Sequence, residues 1–225
     1  MLFLIQNNGE GEGNAVVFAQ ALQVKKGITS IIGSGGKTSL MMRLAWELSS
    51  QGASVILCTS TRIYPPEEVP FTEEITQSVT GTACVGTPAE WGKIGAPKQS
   101  FTDLTQYADY VLVEADGSKH LPLKAHDHYE PVIPKGCEWV ILVVGAMGLG
   151  KPVLEVVHRP DIFMELTDSC YADPVSVAVA LGKEDLGDCV FINQADQAPI
   201  LAMELKSMIP VPCCVGSIQK GEILC

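Results

Sequence analysis

The chain has 225 residues, 47% of them hydrophobic, and a formal net charge of −11. That length builds one α/β domain with a full core, and an acidic balance of this size excludes the electrostatic footprint of a nucleic-acid binder or of a protein drawn to anionic membranes. No apolar run approaches the ~20 residues that span a bilayer, and residues 1–5 are too short and lack the basic start of a secretory leader, so a cytoplasmic location is expected.

In chain order, apolar runs at 28–32, Ser54–Thr59, Ala83–Val85, Tyr110–Glu114, Val140–Val144, Val190–Asn193 and Val211–Val215 predict strands. Most are continuous rather than alternating, the pattern of strands buried on both faces of a parallel sheet. Between the first two, Met41, Leu44, Ala45 and Leu48 recur at helical spacing and predict a helix laid on the sheet. Asp173-Pro174 starts a second helix, with Asp as N-cap and Pro at the first helical position, and Leu181-Gly182 ends it. A third runs from about Gln197 to Met208, before the Pro210-Val-Pro212 break. The fold class expected is α/β, a three-layer α/β/α sandwich with a mostly parallel sheet, P-loop NTPase-like. Residues 1–225 read as a single P-loop nucleotide-binding domain, with an irregular, proline-rich excursion at about 62–100 near the nucleotide.

The turn after the first strand is Gly33-Ser34-Gly35-Gly36-Lys37-Thr38-Ser39. A strand feeding a glycine-rich turn that opens a helix aims several backbone N–H groups at one spot, where the helix dipole favours an anion. Lys37 would reach the β/γ-phosphates and the Thr38 hydroxyl would ligate Mg²⁺. The first glycine of G-x-x-x-x-G-K-[ST] falls on Ile31, so the turn opens at Gly33 in a variant geometry.

The strand at Tyr110–Glu114 delivers Glu114, Asp116 and Gly117 to the C-terminal sheet edge, where open α/β sheets bind ligands. Spaced by two, Glu114 and Asp116 would share a face and serve as metal ligands with Thr38, or as one metal ligand and one water-orienting base. The plain alternative is a turn at Asp116-Gly117 with Glu114 paired to a lysine. Asn193-Gln-Ala-Asp196 is similar to the N-K-x-D motif that reads guanine, with Gln194 in the lysine position; Asp196 serves equally as the cap of the helix starting near Gln197. Thr61 and Arg62, closing the second strand, are candidates for the γ-phosphate or a phosphorylated substrate. Lys119, Lys124, His158 and Arg159 are candidates for an anionic substrate. His126-Asp-His128 is weak as a metal pair without a clustered cysteine. The eight cysteines, among them Cys213-Cys214, include no C-x-x-C pair, and reduced, buried thiols are expected.

Taken together these segments resemble the YqeC family, from about residue 22 onward. The resemblance rests on Ile32-Gly-Ser-Gly-Gly-Lys-Thr-Ser39, Thr59-Ser-Thr-Arg-Ile-Tyr-Pro65, Val113-Glu-Ala-Asp-Gly-Ser-Lys119, Leu121-Pro-Leu-Lys124, Glu130-Pro-Val-Ile-Pro134, Val157-His-Arg159 and Asn193-Gln-Ala-Asp196. It departs at Ser60, where a further threonine is usual, and at Gln194. The resemblance implies a P-loop protein linked to selenium-dependent molybdenum hydroxylases, with a role in maturing a labile selenium-containing cofactor.

The expected activity is therefore Mg²⁺-dependent binding of GTP or ATP by an accessory factor. Lys37, Glu114 and Asp116 are the candidate catalytic groups, with hydrolysis of the nucleotide as the step. A small-molecule kinase and a nucleotide-gated chaperone with little turnover are the alternatives. Expected partners are the nucleotide and a molybdenum hydroxylase or cofactor-maturation protein, with neither nucleic acid nor membrane; a homodimer is compatible with the sequence.

Overall fold

In the computed structural model, residues 17–224 are described; residues 1–5, read above for a leader, and Cys225 lie outside them. Nine strands form the central sheet: β1 (Gly27–Gly33), β2 (Val55–Thr59), β3 (Phe71–Thr72), β4 (Thr82–Val85), β5 (Tyr110–Glu114), β6 (Cys137–Gly145), β7 (Cys189–Asn193), β8 (Cys213–Ser217) and β9 (Glu222–Ile223). Their order is β9-β8-β7-β6-β1-β5-β2-β4-β3. Every pairing is parallel except β8 with β9. The helices are α1 (Val17–Ala21), α2 (Lys37–Ser50), α3 (Phe101–Leu104), α4 (Val153–Val156), α5 (Pro160–Thr167), α6 (Pro174–Glu184) and α7 (Pro199–Met208).

Period-two alternation explains why the strands read as unbroken apolar runs. Leu142 and Val144 of β6, with Val190 and Ile192 of β7, pack beneath α4 to α7 through Val153, Phe163, Val177 and Ala202. The intervening Ile141, Val143 and Phe191 pack on the other face against Phe18 of α1 and Leu40, Met41 and Leu44 of α2. Both faces are thus covered, and the result is a three-layer α/β/α sandwich around a mostly parallel sheet. Among the described residues, no helix is long and apolar enough to cross a membrane.

Element boundaries differ from expectation where tertiary contacts decide. Asp173 caps α6 by accepting from the Ser176 N–H at 2.9 Å, but the helix runs through Gly182 to Glu184 and stops at Asp185 in the left-handed region, φ 47°. Lys183, bonded to the Leu166 carbonyl, and Glu184, bonded to His126, hold that last turn. Strand β8 starts at Cys213 rather than Val211, because Pro210 and Pro212 supply no N–H to the ladder. Helix α7 starts at Pro199 with Ala198 as N-cap, so Asp196 does not cap it. Within 62–100, Arg62–Ile63, Thr87–Pro88 and Ile94–Gly95 form a separate antiparallel ribbon, while β3 and β4 extend the main sheet. A two-residue parallel pair, Leu123–Lys124 with Val157–His158, ties the segment after β5 to the start of α5.

Candidate functional site

The glycine turn leaves the C-terminal end of β1, a central strand flanked by β6 and β5, and helix α2 begins at Lys37. Two close approaches demand glycine. Gly35 has φ +91°, and a Cβ there would lie 2.4 Å from the Gly145 Cα; Gly36 has φ +118°, and its Cβ would lie 2.5 Å from Asn193 Nδ2. The turn is therefore pressed against the ends of β6 and β7. Asn193 Nδ2 donates to the Gly35 carbonyl at 2.8 Å, and Asn193 Oδ1 accepts from the Ile218 N–H at 3.1 Å. Ser34 is held by its N–H to the Val143 carbonyl at 2.9 Å and by its hydroxyl to the Leu121 carbonyl.

Lys37 is buried and surrounded by acceptors. Its ammonium donates to the Gly33 carbonyl at 2.8 Å and to Ser118 Oγ at 3.2 Å. It lies 3.1 Å from Asp116 Oδ1 and 3.8 Å from Glu114 Oε1. The Asp116 contact is an ion pair without the alignment of a hydrogen bond, since Oδ1 has no hydrogen-bond partner. The Thr38 hydroxyl donates to Glu114 Oε2 at 2.7 Å. Burial raises the Glu114 carboxyl above its usual range, against the pull of Lys37 and Thr38.

Asp116 is the hub. Its Oδ2 accepts from the Gly33 N–H at 2.8 Å, faces His126 Nε2 at 2.9 Å, and lies 3.1 Å from Lys124 Nζ. Burial pushes this carboxyl up, but the His126 hydrogen bond and the charges of Lys37 and Lys124 outweigh it and leave the pKa at about 2. The other His126 ring nitrogen, Nδ1, meets Glu184 Oε2 at 2.9 Å. A carboxylate oxygen therefore faces each ring nitrogen of His126. Consistently, burial lowers the His126 pKa less than Asp116 and Glu184 raise it.

The polar chain continues outward. Lys124, with no side-chain exposure, pairs with Glu130 at 2.7 Å and donates to the Gly117 carbonyl at 2.6 Å. Arg159 reaches Glu130 and Asp127, each at 3.2 Å, and donates to the Tyr129 hydroxyl at 3.0 Å. Burial and the charges of Lys124, Arg159 and Lys119 depress the His158 pKa. Lys124 lies beside His158 across the two-residue strand pair, and Arg159 follows His158 in the chain. Lys119 and His120 are exposed and consecutive in the left-handed region, at φ 49° and 62°, immediately after the Ser118 that touches Lys37.

Other candidates sit farther out. Ser39 is exposed on the first turn of α2, and Arg62 is exposed on the separate ribbon. The Thr61 N–H donates to Thr59 Oγ1 at 3.0 Å, and Thr59 Oγ1 donates to the Glu114 carbonyl at 2.7 Å, so this segment borders Glu114. Asp196 has a lowered pKa through hydrogen bonds from Ser217 and Gln197. His126 and His128 part company: the latter is exposed beside Asp127. Among the described residues no three His, Cys, Asp or Glu side chains converge to hold a metal ion. Cys170 is exposed, contrary to the expectation of burial, whereas Cys58, Cys84 and Cys189 are buried; burial pushes Cys84 to about 11 and Cys189 to about 12.

The model of the YqeC protein family matches residues 29–161. The chain belongs to the YqeC family. The uncharacterized protein YqeC of Escherichia coli (strain K12) is 35% identical over an alignment of 170 residues that covers 68% of this chain and 66% of that relative; the match thus spans just under two thirds of the relative's length. Among solved structures, a crystal structure of HypB from Helicobacter pylori in complex with nickel is similar with a TM-score of 0.41 and 12% identity, over 90% of this chain and 84% of that one.

The YqeC match takes in the glycine turn, Glu114 to Lys124, His126, Glu130 and His158-Arg159, while Glu184, Asn193 and Asp196 lie beyond it. Ser118, His126, Glu130 and Glu184 were not among the expected site residues, and neither were Asp127 and Tyr129, the partners of Arg159. His126 and Glu130 stood in singled-out segments but without this role. Glu184 had no signal at all, being one more polar residue near the end of a helix.

Proposed function

We propose that this YqeC-family protein binds a Mg²⁺-nucleoside triphosphate at the Gly33–Thr38 turn, prefers GTP, and hydrolyses it as an accessory factor in maturing a selenium-dependent molybdenum hydroxylase. The observation that carries the reading is the convergence of Lys37, Thr38 and Glu114 where the central strand hands over to α2. Backbone N–H groups at a helix start together with an ammonium suit a phosphate chain. Thr38 Oγ1 and Glu114 Oε2, oxygen donors 2.7 Å apart, fit the hard-ligand chemistry of Mg²⁺, and these two residues would hold the ion. Bound there, Mg²⁺ would supply charge neutralisation on the phosphates. Asp116, engaged by two hydrogen bonds and two lysine ion pairs, suits organising Lys37 better than ligating metal.

Guanine preference is supported by Asn193, which links the turn to the Ile218 backbone, and by Asp196, which is free of helix capping and held ionised at the same edge. An Asp carboxylate accepts from a pair of donors that guanine presents and adenine lacks. The maturation role is what the family resemblance implies. A second reading, a small-molecule kinase, is favoured by the gathering of Lys119, Lys124, His158 and Arg159 around the segment that touches Lys37. Titration calorimetry of metal-free protein with GTP and ATP plus Mg²⁺, with released phosphate assayed in parallel, tests these readings. Selective GTP binding with phosphate release supports the proposal; phosphate transfer to an added metabolite supports the kinase, and no binding of either nucleotide overturns both.

A further inference from the structure

We infer that His126 and Glu184 are a positioning pair that sets the phosphate turn from the opposite layer of the fold, by fixing Asp116 and through it Lys37 and the Gly33 amide. The inference rests on the nucleotide-site reading above and names how that site is held in shape.

Asp116 lies beyond the end of β5, so no strand ladder dictates where its side chain points. Its direction is set by what touches Oδ2: the Gly33 N–H at 2.8 Å, His126 Nε2 at 2.9 Å and Lys124 Nζ at 3.1 Å. With Oδ2 engaged by two hydrogen bonds and the Lys124 ion pair, Oδ1 is left facing the Lys37 ammonium at 3.1 Å. Of these three groups, His126 is the one whose side chain is held by a helix residue, Glu184. Glu184 clasps it twice, Oε1 accepting from the His126 backbone N–H at 2.6 Å and Oε2 from ring Nδ1 at 2.9 Å. Glu184 ends α6, on the sheet face opposite α2. A continuous path of three buried side chains therefore runs from the far helical layer to the ammonium of the turn.

Stability alone does not account for such a path. Side-chain exposure is 3% for His126, 7% for Glu184 and 0% for Asp116, and burying three charged groups costs desolvation that apolar packing would avoid. What the path supplies is a fixed orientation for a carboxylate, the service that outer partners perform for the reacting groups of a site, where their loss typically costs 10–100-fold in affinity or activity. Lys37 is the group steered, and it addresses the outer phosphates. The pair's effect must therefore depend on how many phosphates the ligand carries, a dependence that a merely structural tie between α6 and the 123–131 segment would lack.

The test is calorimetric binding of GTP and GDP with Mg²⁺ to the wild-type chain and to Glu184→Gln and His126→Gln, with thermal melting of the nucleotide-free proteins alongside. The expected result is a loss of about 10-fold or more for GTP and a clearly smaller loss for GDP in both variants. Unchanged affinity, or equal losses for the two nucleotides, overturns the inference while leaving the nucleotide site standing. Failure of the wild type to bind either nucleotide overturns the site and the inference together. Should both variants melt below the working temperature, the wild type still decides through the ring ¹⁵N resonances of His126: a shift on adding GTP that exceeds the shift with GDP supports the pair, and no shift with either overturns it.

Discussion

Asn193 and Gly35, 158 positions apart in sequence, are joined by a 2.8 Å hydrogen bond from the side-chain amide to the backbone carbonyl. The same side chain accepts from Ile218, so one residue binds the turn to the loops after β7 and β8. Asn193→Ala strands a buried carbonyl and a backbone N–H. The expected cost is about 1–3 kcal/mol of stability, read by urea denaturation, together with weaker nucleotide binding by calorimetry.

Lys37→Ala removes the one ammonium inside the turn. Asp116 keeps Lys124, His126 and the Gly33 amide, so the fold should survive with its far-ultraviolet circular dichroism unchanged. Triphosphate affinity should fall below detection, and undiminished affinity would remove the phosphate-binding assignment.

Glu114→Gln and Asp116→Asn should separate two roles. The first leaves the donors around Asp116 intact and is expected to weaken the Mg²⁺ dependence of nucleotide binding with little effect on folding. The second withdraws the counter-charge of buried Lys124 and His126 and should cost about 3–5 kcal/mol. Equal destabilisation by the two variants would refute this division.

The pH dependence has two limbs. Asp116 drops from an ordinary 3.8 to about 2 on folding, so its contribution is complete above pH 3.8 and disappears as pH falls through 2. The shift corresponds to about 2 kcal/mol. His126 is raised above its ordinary 6.5, so its contribution is complete below 6.5 and is lost as pH rises through the folded value. Denaturation midpoints between pH 2 and 9 should show both limbs, and His126→Gln should abolish the upper one.

Asp196→Asn should weaken GTP more than ATP, because the carboxylate is the acceptor that only guanine's paired donors require. Competition binding with the two nucleotides measures the ratio. An equal loss for both would reduce Asp196 to a partner of Ser217.

Much of the fold was legible because its strands are buried on both faces: all of the runs from 28–32 to Val211–Val215 occupy the main sheet, with ends displaced by a few residues. The displaced ends have physical causes that a local pattern does not carry, such as a lysine and a glutamate anchoring the last turn of α6 to distant groups. Short elements, including α4 and the 62–100 ribbon, lack enough periodicity to announce themselves. In the candidate site, Lys37, Thr38, Glu114 and Asp116 were legible because a loop motif and a strand end bring them together. His126, Glu130 and Glu184 were not, since buried ion pairs join residues by proximity alone and leave no spacing rule.

Among the described residues, the sheet ends on both sides in strands of two residues, Phe71–Thr72 and Glu222–Ile223. Margins so short offer too few free backbone groups to template a neighbour. Strand-by-strand polymerisation is thereby disfavoured at these two margins.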